Sequence, residues 1–265
     1  FLSLQKNKES ILTGSDRLKK RPIKDLVKVL QKMGAQITYL EKEGFAPLRI
    51  LGGKLKGSYI EIDGGISSQF ISAILLISPT LDDGIKLKIT RDLVSKPYIL
   101  MTLQVMSEFG IKWTWIGNII TIRKQIYIAK NYSVESDWSS ASFWLQIASL
   151  SEKCNIKLSG LKQNSIQGDA KVRTIFKDFG IASVFKDNTL TLTKNNNQNF
   201  SKSIDLIDTP DMYQCLKCTL FALNKTTKIT GVSTLKNKET DRVTAVENEL
   251  KKLRTSKIIE TYKDH

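Results

Sequence analysis

Residues 67–77 read SSQFISAILLI, a polar start followed by an apolar run, and this stretch governs the fold because it recurs. Ser139-Ser140 opens a second apolar run, and Asp211 opens a third. Both spacings are 72 residues, since 139 − 67 = 72 and 211 − 139 = 72. A fixed spacing of this kind indicates an internal structural repeat. We therefore predict three helices, followed by strands at residues 85–89, 156–158 and 228–230.

A second half-unit alternates with the first and consists of an amphipathic helix, a glycine and two short strands. The glycine just past each helix supplies the left-handed conformation that ends it. The helices are expected at residues 24–33, 98–109 and 171–179, and the first strands after them at residues 36–40, 112–115 and 182–185. Gly117-Asn118 and Asp187-Asn188 are typical of tight hairpin turns. The order β-α-β-α-β-β predicts a mixed α/β (α+β) fold, because such helices must be buried against sheets.

Length and composition limit the classes of protein that fit. A chain of 265 residues is long enough for two domains, each with its own core. It has no apolar run of membrane-spanning length and no signal-peptide layout at Phe1, so we expect a cytoplasmic protein without a membrane partner. Cys154, Cys215 and Cys218 are too few for a disulfide framework. Cys215 and Cys218 form a C-x-x-C, but His265 is the only histidine, so a zinc site lacks ligands.

The formal net charge of +15 indicates anionic partners. The lysines are scattered, with no run of five basic residues and no basic stripe interleaved with aromatic residues. The charge therefore leaves open whether the partners are polymers or small metabolites.

The predicted helix starts are the candidate binding positions, because backbone N–H groups and the helix dipole favour anions there. Six starts are rich in hydroxyl, amide and cationic groups: Arg21-Pro22, Ser67-Ser68-Gln69, Ser95-Lys96-Pro97-Tyr98, Ser139-Ser140, Asp211, and Lys238-Glu239-Thr240-Asp241-Arg242. Each serine alone would be read as an ordinary cap, and Pro22 and Pro97 suit a first helical position. The Lys238 segment alone would be read as a solvated first turn, with Thr240 as its N-cap. Together the six starts predict an anion-lined cleft.

Five segments taken together are more specific than any one motif: Lys20-Arg21-Pro22, Ser67-Ser68-Gln69-Phe70, Val94-Ser95-Lys96-Pro97-Tyr98, Pro210-Asp211 and Lys238-Glu239-Thr240-Asp241-Arg242. In order and spacing they resemble the signatures of the 5-enolpyruvylshikimate-3-phosphate synthase family, over nearly all of the chain. The resemblance implies the enolpyruvyl transferase fold, with two domains of three β-α-β-α-β-β units each. We expect residues 1–134 to form an incomplete N-terminal domain that binds shikimate 3-phosphate. Residues 135–265 are expected to form an incomplete C-terminal domain that carries the proton-transfer groups.

The resemblance also implies a reaction and roles for particular residues. The enolpyruvyl group of phosphoenolpyruvate passes to the 5-hydroxyl of shikimate 3-phosphate with release of phosphate, in the shikimate pathway, without a metal or cofactor. The shikimate 3-phosphate ligands would be Ser67, Ser68, Gln69, Ser95, Tyr98, Asp211 and Lys238, and those of phosphoenolpyruvate Arg21, Gln69, Lys238 and Arg242. Asp211 would be the base that deprotonates the hydroxyl, while Glu239 and Lys238 would protonate the methylene carbon or stabilise charge. We expect a monomer that binds these two substrates and no nucleic acid.

The sequence departs from the family pattern in two ways. The family's N-terminal Lys-Ser pair and Asn-Ala-Gly-Thr loop, and its late Arg and Lys, are not found between Phe1 and His265. We therefore expect a chain truncated at both ends, with an incomplete phosphoenolpyruvate pocket. The helix expected over residues 243–253 also lacks the glycine and the paired strands that follow the other helices. We expect that residues between Leu253 and Arg254, or nearby, were disordered and are absent from the sequence.

Two alternative functions remain at this point. A related enolpyruvyl transferase acts on a nucleotide sugar, a UDP-sugar, but it relies on a loop cysteine. Cys154, Cys215 and Cys218 instead fall in predicted core elements. A basic nucleic-acid-binding protein is the alternative from another class, and a salt-dependent affinity for DNA or RNA would indicate it.

Overall fold

The computed structural model describes residues 1–57, 59–195 and 197–253. The chain divides into two compact units. The first contains Phe1–Asn131 and Asn237–Glu239, and the second contains Tyr132–Lys236 and the described residues from Thr240 onward. The predicted assignment of substrate roles to residues 1–134 and 135–265 stays a prediction. The gap predicted after Leu253 involves residues 254 and beyond, which lie outside the described residues.

The first unit contains two sheets and four helices within the described residues. Its elements are β1 (Glu9–Leu12), α1 (Asp16–Lys19), α2 (Lys24–Lys32), β2 (Gln36–Tyr39), β3 (Leu48–Leu51), β4 (Tyr59–Asp63), α3 (Ser68–Ile77), β5 (Ile85–Thr90), α4 (Lys96–Glu108), β6 (Trp113–Ile116) and β7 (Ile119–Ile122). One sheet has the order β1-β3-β2 and is antiparallel. The other has the order β4-β5-β7-β6, in which only β4 and β5 run parallel.

The second unit repeats the same alternation of helices and strands. Its elements are α5 (Trp138–Leu150), β8 (Asn155–Ser159), α6 (Val172–Lys177), β9 (Ile181–Lys186), β10 (Thr189–Lys194), β11 (Ser203–Asp205), α7 (Tyr213–Ala222), β12 (Lys228–Thr230) and α8 (Arg242–Lys252). The antiparallel sheet has the order β8-β10-β9, and β11 pairs with β12 in parallel. The mixed α/β class predicted from the sequence is confirmed.

Each unit has its own hydrophobic core. In the first unit β5 alternates buried Ile85, Leu87 and Ile89 with more exposed residues, as a strand with one face on a core requires. The buried side chains of α3 include Ile71 and Leu75, which lie one turn apart on the helix. The core of the second unit contains larger side chains, of which Trp138, Phe176 and Phe179 are fully buried.

The predicted repeat matches the observed elements closely. The helices start near residues 68, 138 and 213, and the strands predicted after them are β5, β8 and β12. Three glycines that follow helices have positive φ, at 98° for Gly34, 86° for Gly110 and 82° for Gly180. The hairpin turns predicted at Gly117-Asn118 and Asp187-Asn188 lie between β6 and β7 and between β9 and β10. Local sequence signals were therefore sufficient to locate these elements.

Two predicted helix starts are wrong in detail. Thr240 does not cap α8; Asp241 does, and its carboxylate accepts the N–H of Thr244 at 3.1 Å. An ionised carboxylate is the stronger acceptor for that N–H, so the helix begins after Asp241. Pro22 is not a first helical residue either, because α2 begins at Lys24 with Ile23 at its N-cap. The N–H of Ile23 is already held by the carbonyl of Gly44 at 2.9 Å.

Candidate active site

The parallel pair β4 and β5 brings two predicted binding segments to one sheet edge in the first unit. Because the strands are parallel, their carboxyl ends meet at the same edge, and α3 and α4 start from it. The N–H of Gly64 donates to Thr90 O at 2.7 Å, and the N–H of Val94 donates to Gly64 O at 3.2 Å. These bonds fix the loop before Ser67 against the loop before Ser95.

The first helix start at this edge belongs to α3. Ser67 is its N-cap, and the Ser67 Oγ accepts the N–H of Gln69 at 3.3 Å. Ser67 and Ser68 are half-buried and Gln69 is exposed. Backbone N–H groups and two hydroxyls at the positive end of a ten-residue helix are suited to a phosphate.

The second helix start at this edge is strained at Ser95. Ser95 has φ 62° and ψ 36°, is buried, and its side chain does not cap α4. A left-handed conformation costs an L-residue about 1–2 kcal/mol, and such strain clusters at binding sites. The first turn continues to Tyr98, whose N–H donates to Ser95 O at 3.1 Å. The backbone thus holds the Ser95 hydroxyl in a place that helix capping does not explain.

Arg21 lies on another part of the first unit. It sits in the bend between α1 and α2, half-buried, and its N–H donates to Leu18 O at 3.0 Å. Its predicted role in binding phosphoenolpyruvate stays a prediction.

In the second unit the parallel pair β11 and β12 brings Asp211 and Arg242 together. Asp211 lies in the 3₁₀ turn Pro210–Met212 that precedes α7, and Arg242 is the first residue of α8. Arg242 Nη1 and Asp211 Oδ1 are 2.9 Å apart, and the two side chains are only 18% and 28% exposed. Such a charge-assisted bond fixes both groups. The guanidinium predicted to bind phosphoenolpyruvate therefore contacts the carboxylate predicted to act as base.

Lys238 and Glu239 lie in the segment between the 3₁₀ turn Ser233–Asn237 and α8. The simplest interpretation of the sequence placed them in the first turn of that helix, but they precede it. Lys238 is half-buried and Glu239 is exposed. Their predicted catalytic roles stay predictions.

The helix start at Ser139-Ser140 differs from the others. The Asp137 carboxylate accepts the N–H of Ser139 at 2.9 Å and that of Ser140 at 3.1 Å. Ser139 Oγ donates to the buried carboxylate of Asp169 at 2.8 Å. Two carboxylates of the protein thus occupy this start, which makes it unsuited to an anionic ligand. This start therefore does not fit the predicted anion-lined cleft, and Asp137 was the signal in the sequence.

Cys215 and Cys218 lie on α7 as the sequence analysis expected, whereas Cys154 is half-buried in the segment just before β8 and not within a core element. All three are free thiols, and Cys215 is buried with its Sγ donating to Ser142 O at 3.2 Å. Burial raises the pKa of Cys215 to about 11 and also raises that of Cys218. Neither thiol is therefore activated as a nucleophile. Within residues 1–57, 59–195 and 197–253, no group of three or more His, Cys, Asp or Glu side chains could hold a metal ion.

Two glycines at the strand ends were missed in the sequence. A Cβ on Gly64 would lie 2.8 Å from Asp92 O, and Gly231, at φ 74°, would meet the backbone of Ile207. Each glycine allows one strand-end loop to pass close to the other. The Asp63-Gly64-Gly65 sequence directly after a strand was the available signal for the first of them.

The fold and these helix starts define a two-unit α/β protein with a candidate anion-binding edge in its first unit. A family model described as "EPSP synthase (3-phosphoshikimate 1-carboxyvinyltransferase)" matches residues 1–261. The chain belongs to the EPSP synthase family. In the part of the chain that the structure describes, no helix is long and apolar enough to cross a membrane.

Named relatives and a solved structure agree with this assignment. The chain is 43% identical over 243 residues to 3-phosphoshikimate 1-carboxyvinyltransferase of Bacteroides fragilis (strain YCH46), covering 91% of this chain and 59% of that protein. It is 39% identical to the protein of that name from Psychromonas ingrahamii, covering 92% of this chain and 57% of the relative. The structure of EPSP synthase from Acinetobacter baumannii superposes with a TM-score of 0.68 at 26% identity, covering 94% of this chain and 57% of that one. The chain thus spans less than two thirds of these relatives, and it shares their two-domain enolpyruvyl transferase fold.

Proposed function

We propose that the protein transfers the enolpyruvyl group of phosphoenolpyruvate to the 5-hydroxyl of shikimate 3-phosphate and releases phosphate, a step of the shikimate pathway. The relatives carry the name of this reaction, and the family model matches residues 1–261. The observation that carries the proposal is the edge where β4 and β5 end, because Ser67 and the strained Ser95 open two helices there.

Shikimate 3-phosphate is proposed to bind at this edge. Its phosphate would accept hydrogen bonds from Ser67, Ser68 and the first N–H groups of α3. The Ser95 hydroxyl and Tyr98 would bind the phosphate or the ring, and Gln69 would contact both substrates. Asp211 and Lys238 are the further proposed ligands of this substrate.

Phosphoenolpyruvate is proposed to bind to cations, because it is a small, highly charged anion. Arg242 and Arg21 offer planar forks that match a carboxylate or a phosphate, and Lys238 and Gln69 would complete its ligands. Arg242 already holds the Asp211 carboxylate at 2.9 Å. An incoming anion would share or take over that guanidinium and would leave Asp211 beside the reacting hydroxyl.

The chemistry follows from these placements. The 5-hydroxyl oxygen attacks C2 of phosphoenolpyruvate, Asp211 accepts the hydroxyl proton, and C3 gains a proton from Glu239 or Lys238. Loss of a proton from the new methyl group and departure of phosphate then restore the double bond. A positioned general base contributes about 10²–10⁴-fold, so orientation and cationic stabilisation must supply the rest.

The remaining parts of the proposal concern the protein's surroundings. We propose a cytoplasmic monomer that uses no metal or cofactor and binds neither nucleic acid nor a membrane. The three free thiols are typical of a reducing compartment. The scattered lysines fit small anionic substrates without a polymer-binding stripe.

The test is phosphate release by the full chain with both substrates, together with calorimetric binding of shikimate 3-phosphate. We expect Asp211→Asn and Glu239→Gln each to lower turnover at least about 10²-fold and to leave shikimate 3-phosphate binding nearly intact. Near-normal turnover in both variants would contradict the assigned roles.

A matched pair of serines tests the binding edge. Ser68→Ala should weaken shikimate 3-phosphate binding about tenfold, through one lost hydrogen bond to a charged group. Ser140→Ala, 72 residues later at the start that Asp137 occupies, should leave binding unchanged. Equal effects of the two substitutions on shikimate 3-phosphate binding would contradict the proposal.

The alternative function has its own test. A salt-dependent affinity for DNA or RNA comparable with that for shikimate 3-phosphate would favour a nucleic-acid-binding function.

A further inference from the structure

We propose that Asp63 and Asp205 are positioning residues. The Asp63 carboxylate joins two strand-end loops, the Asp205 carboxylate joins a strand-end loop to the end of the neighbouring strand, and each so fixes a helix start that carries predicted site residues. Neither residue is proposed to touch a substrate. The kinetic part of this inference rests on the proposed function, whereas the structural part does not.

Asp63 is the last residue of β4 and bonds to both loops at the edge of the first unit. Its Oδ1 accepts the N–H of Gly65 at 2.8 Å, within the loop that leads to Ser67. Its Oδ2 pairs with Arg91 Nη1 at 2.9 Å, within the loop that leads to Ser95. One carboxylate therefore connects the two loops that carry the proposed shikimate 3-phosphate ligands.

Arg91 pairs with Asp63 from a strained backbone conformation, and this strain indicates that the ion pair has a positioning role. Its φ is 59°, in the left-handed region that non-glycine residues rarely adopt. Its side chain is 81% exposed, so packing does not hold it there. Strained backbone persists only where the surroundings determine it, and the Asp63 carboxylate pairs with this side chain at 2.9 Å.

Asp205 occupies the corresponding place in the second unit. It is the last residue of β11, as Asp63 is the last residue of β4. Its Oδ1 accepts the N–H of Ile207 at 3.2 Å, in the loop that leads to Asp211. The same oxygen accepts the hydroxyl of Thr230 at 3.0 Å, at the end of β12, from which the chain continues to Arg242.

Asp63 and Asp205 occupy the same position in the registers of their parallel strand pairs. Asp63 lies opposite Thr90 in the β4–β5 pair, and Asp205 lies opposite Thr230 in the β11–β12 pair. The next backbone bond also recurs: Gly64 N–H to Thr90 O at 2.7 Å, and the corresponding bond to Thr230 O at 2.9 Å. A strand-end aspartate that accepts the N–H two residues later and lies opposite a threonine thus recurs in both units, but the Thr90 hydroxyl donates to Ile62 O, whereas that of Thr230 donates to Asp205.

The middle repeat supplies an internal control. Glu135 accepts the N–H of Lys162 at 2.8 Å and the hydroxyl of Ser165 at 2.8 Å, both in the loop between β8 and α6, and the indole N–H of Trp138 at 2.9 Å, so it holds that loop beside the start of α5. The helix start beside it is the one that Asp137 and Asp169 occupy. Glu135 therefore provides a structural control, whereas the loop after Asp63 leads to the proposed ligand Ser67 and the loop after Asp205 leads to the proposed base Asp211.

The first arm of the test measures amide hydrogen exchange in the two loops of the first unit, without any substrate. In Asp63→Ala, hydrogen exchange should accelerate at the Gly65 amide and through residues 91–95, and the rest of the first unit should stay protected. Unchanged exchange in these loops would overturn the inference, whether or not the protein is active.

The second arm separates positioning from general stability. Asp63→Ala should raise the Kd and KM for shikimate 3-phosphate about tenfold with little change in kcat, because a hydrogen-bonded charge is lost behind the binding loops. Asp205→Ala should lower kcat about tenfold and raise the shikimate 3-phosphate Kd less than Asp63→Ala does, since its loop carries the proposed base Asp211. Glu135→Ala should lower the Tm and leave kcat and the Kd for shikimate 3-phosphate unchanged.

Arg91 provides the conservative controls. Arg91→Lys should keep the affinity for shikimate 3-phosphate, because a cation remains beside Asp63. Arg91→Gly should be at least as stable as the wild type, since glycine tolerates φ 59°, and should still bind shikimate 3-phosphate more weakly. If Asp63→Ala, Asp205→Ala and Glu135→Ala give the same kinetic pattern, or if Arg91→Gly binds as the wild type does, the inference is wrong. A wild-type chain that binds no shikimate 3-phosphate contradicts the proposed function, and the hydrogen-exchange arm then still decides the loop-joining role.

Discussion

Replacing Ser95 by glycine and by alanine separates the backbone strain at this residue from its hydroxyl group. Ser95 is buried and left-handed, with φ 62°. Both substitutions remove the hydroxyl, but only glycine removes the Cβ that makes the conformation costly. The pair therefore measures two properties of one residue that a single substitution would confuse.

The expected magnitudes follow from the backbone. Removing the Cβ recovers about 1–2 kcal/mol of left-handed strain. Glycine also gives the unfolded chain more freedom, which lowers stability by about 0.5–1 kcal/mol. Ser95→Gly should therefore have a free energy of unfolding about 0.5–1 kcal/mol above that of the wild type. Ser95→Ala keeps the strain and should be no more stable than the wild type. Both variants should bind shikimate 3-phosphate about tenfold more weakly, because a hydrogen bond to a charged group is lost.

Urea unfolding gives the stability difference, and calorimetry gives the affinity. Thr102→Ser is a useful control: Thr102 lies on the same helix, and its hydroxyl donates to Tyr98 O at 3.1 Å, a bond that serine can also make. It should leave shikimate 3-phosphate binding unchanged. A Ser95→Gly variant less stable than Ser95→Ala would refute the strain argument, and wild-type affinity in both would refute the binding role.

Two further predictions concern the scaffold. Lys124 and Lys54 hydrogen-bond to Asp82 and lower its pKa from 3.8 to about 2, so its contribution to stability is present above pH 3.8 and is lost as the pH falls toward 2. Acid unfolding followed between pH 5 and 2 should show a smaller pH dependence in Asp82→Asn than in the wild type, and an identical dependence would contradict the pairing. Gly231→Ala should lower the free energy of unfolding by at least about 2 kcal/mol, because its φ is 74° and the new Cβ would meet backbone atoms. Gly53→Ala, where nothing lies within 4 Å, should be nearly neutral, and similar losses in the two variants would refute the close-approach argument.

Much of the fold could be read from the sequence because its signals are local. The spacing of 72 residues located α3, α5 and α7, and a glycine after α2, α4 and α6 marked where these helices end. Helix periodicity, capping and turn chemistry act over a few residues, so these signals can be read directly from the sequence. The family was recognised in the same way, because its signature segments are short and their order is visible in the chain.

The candidate site was predicted as a set of residues but not as an arrangement. Nothing local shows that β11 and β12 pair in parallel, or that Arg242 contacts Asp211 across 31 positions of the sequence. The same holds for the carboxylate of Asp63, whose partner Arg91 belongs to the next strand-end loop.

The sequence by itself determined which helices and strands form, where they end and which family the residues resemble. Only the tertiary structure decided which distant side chains reach a helix start: folding brings the buried carboxylate of Asp169 to Ser139, where the Asp137 cap is local, whereas the start at Ser67 carries no such carboxylate cap. The physical reason is the separation along the chain over which each effect acts. A cap or a turn is fixed by neighbours in the chain, but the charge at a helix start depends on side chains that folding brings from distant strands.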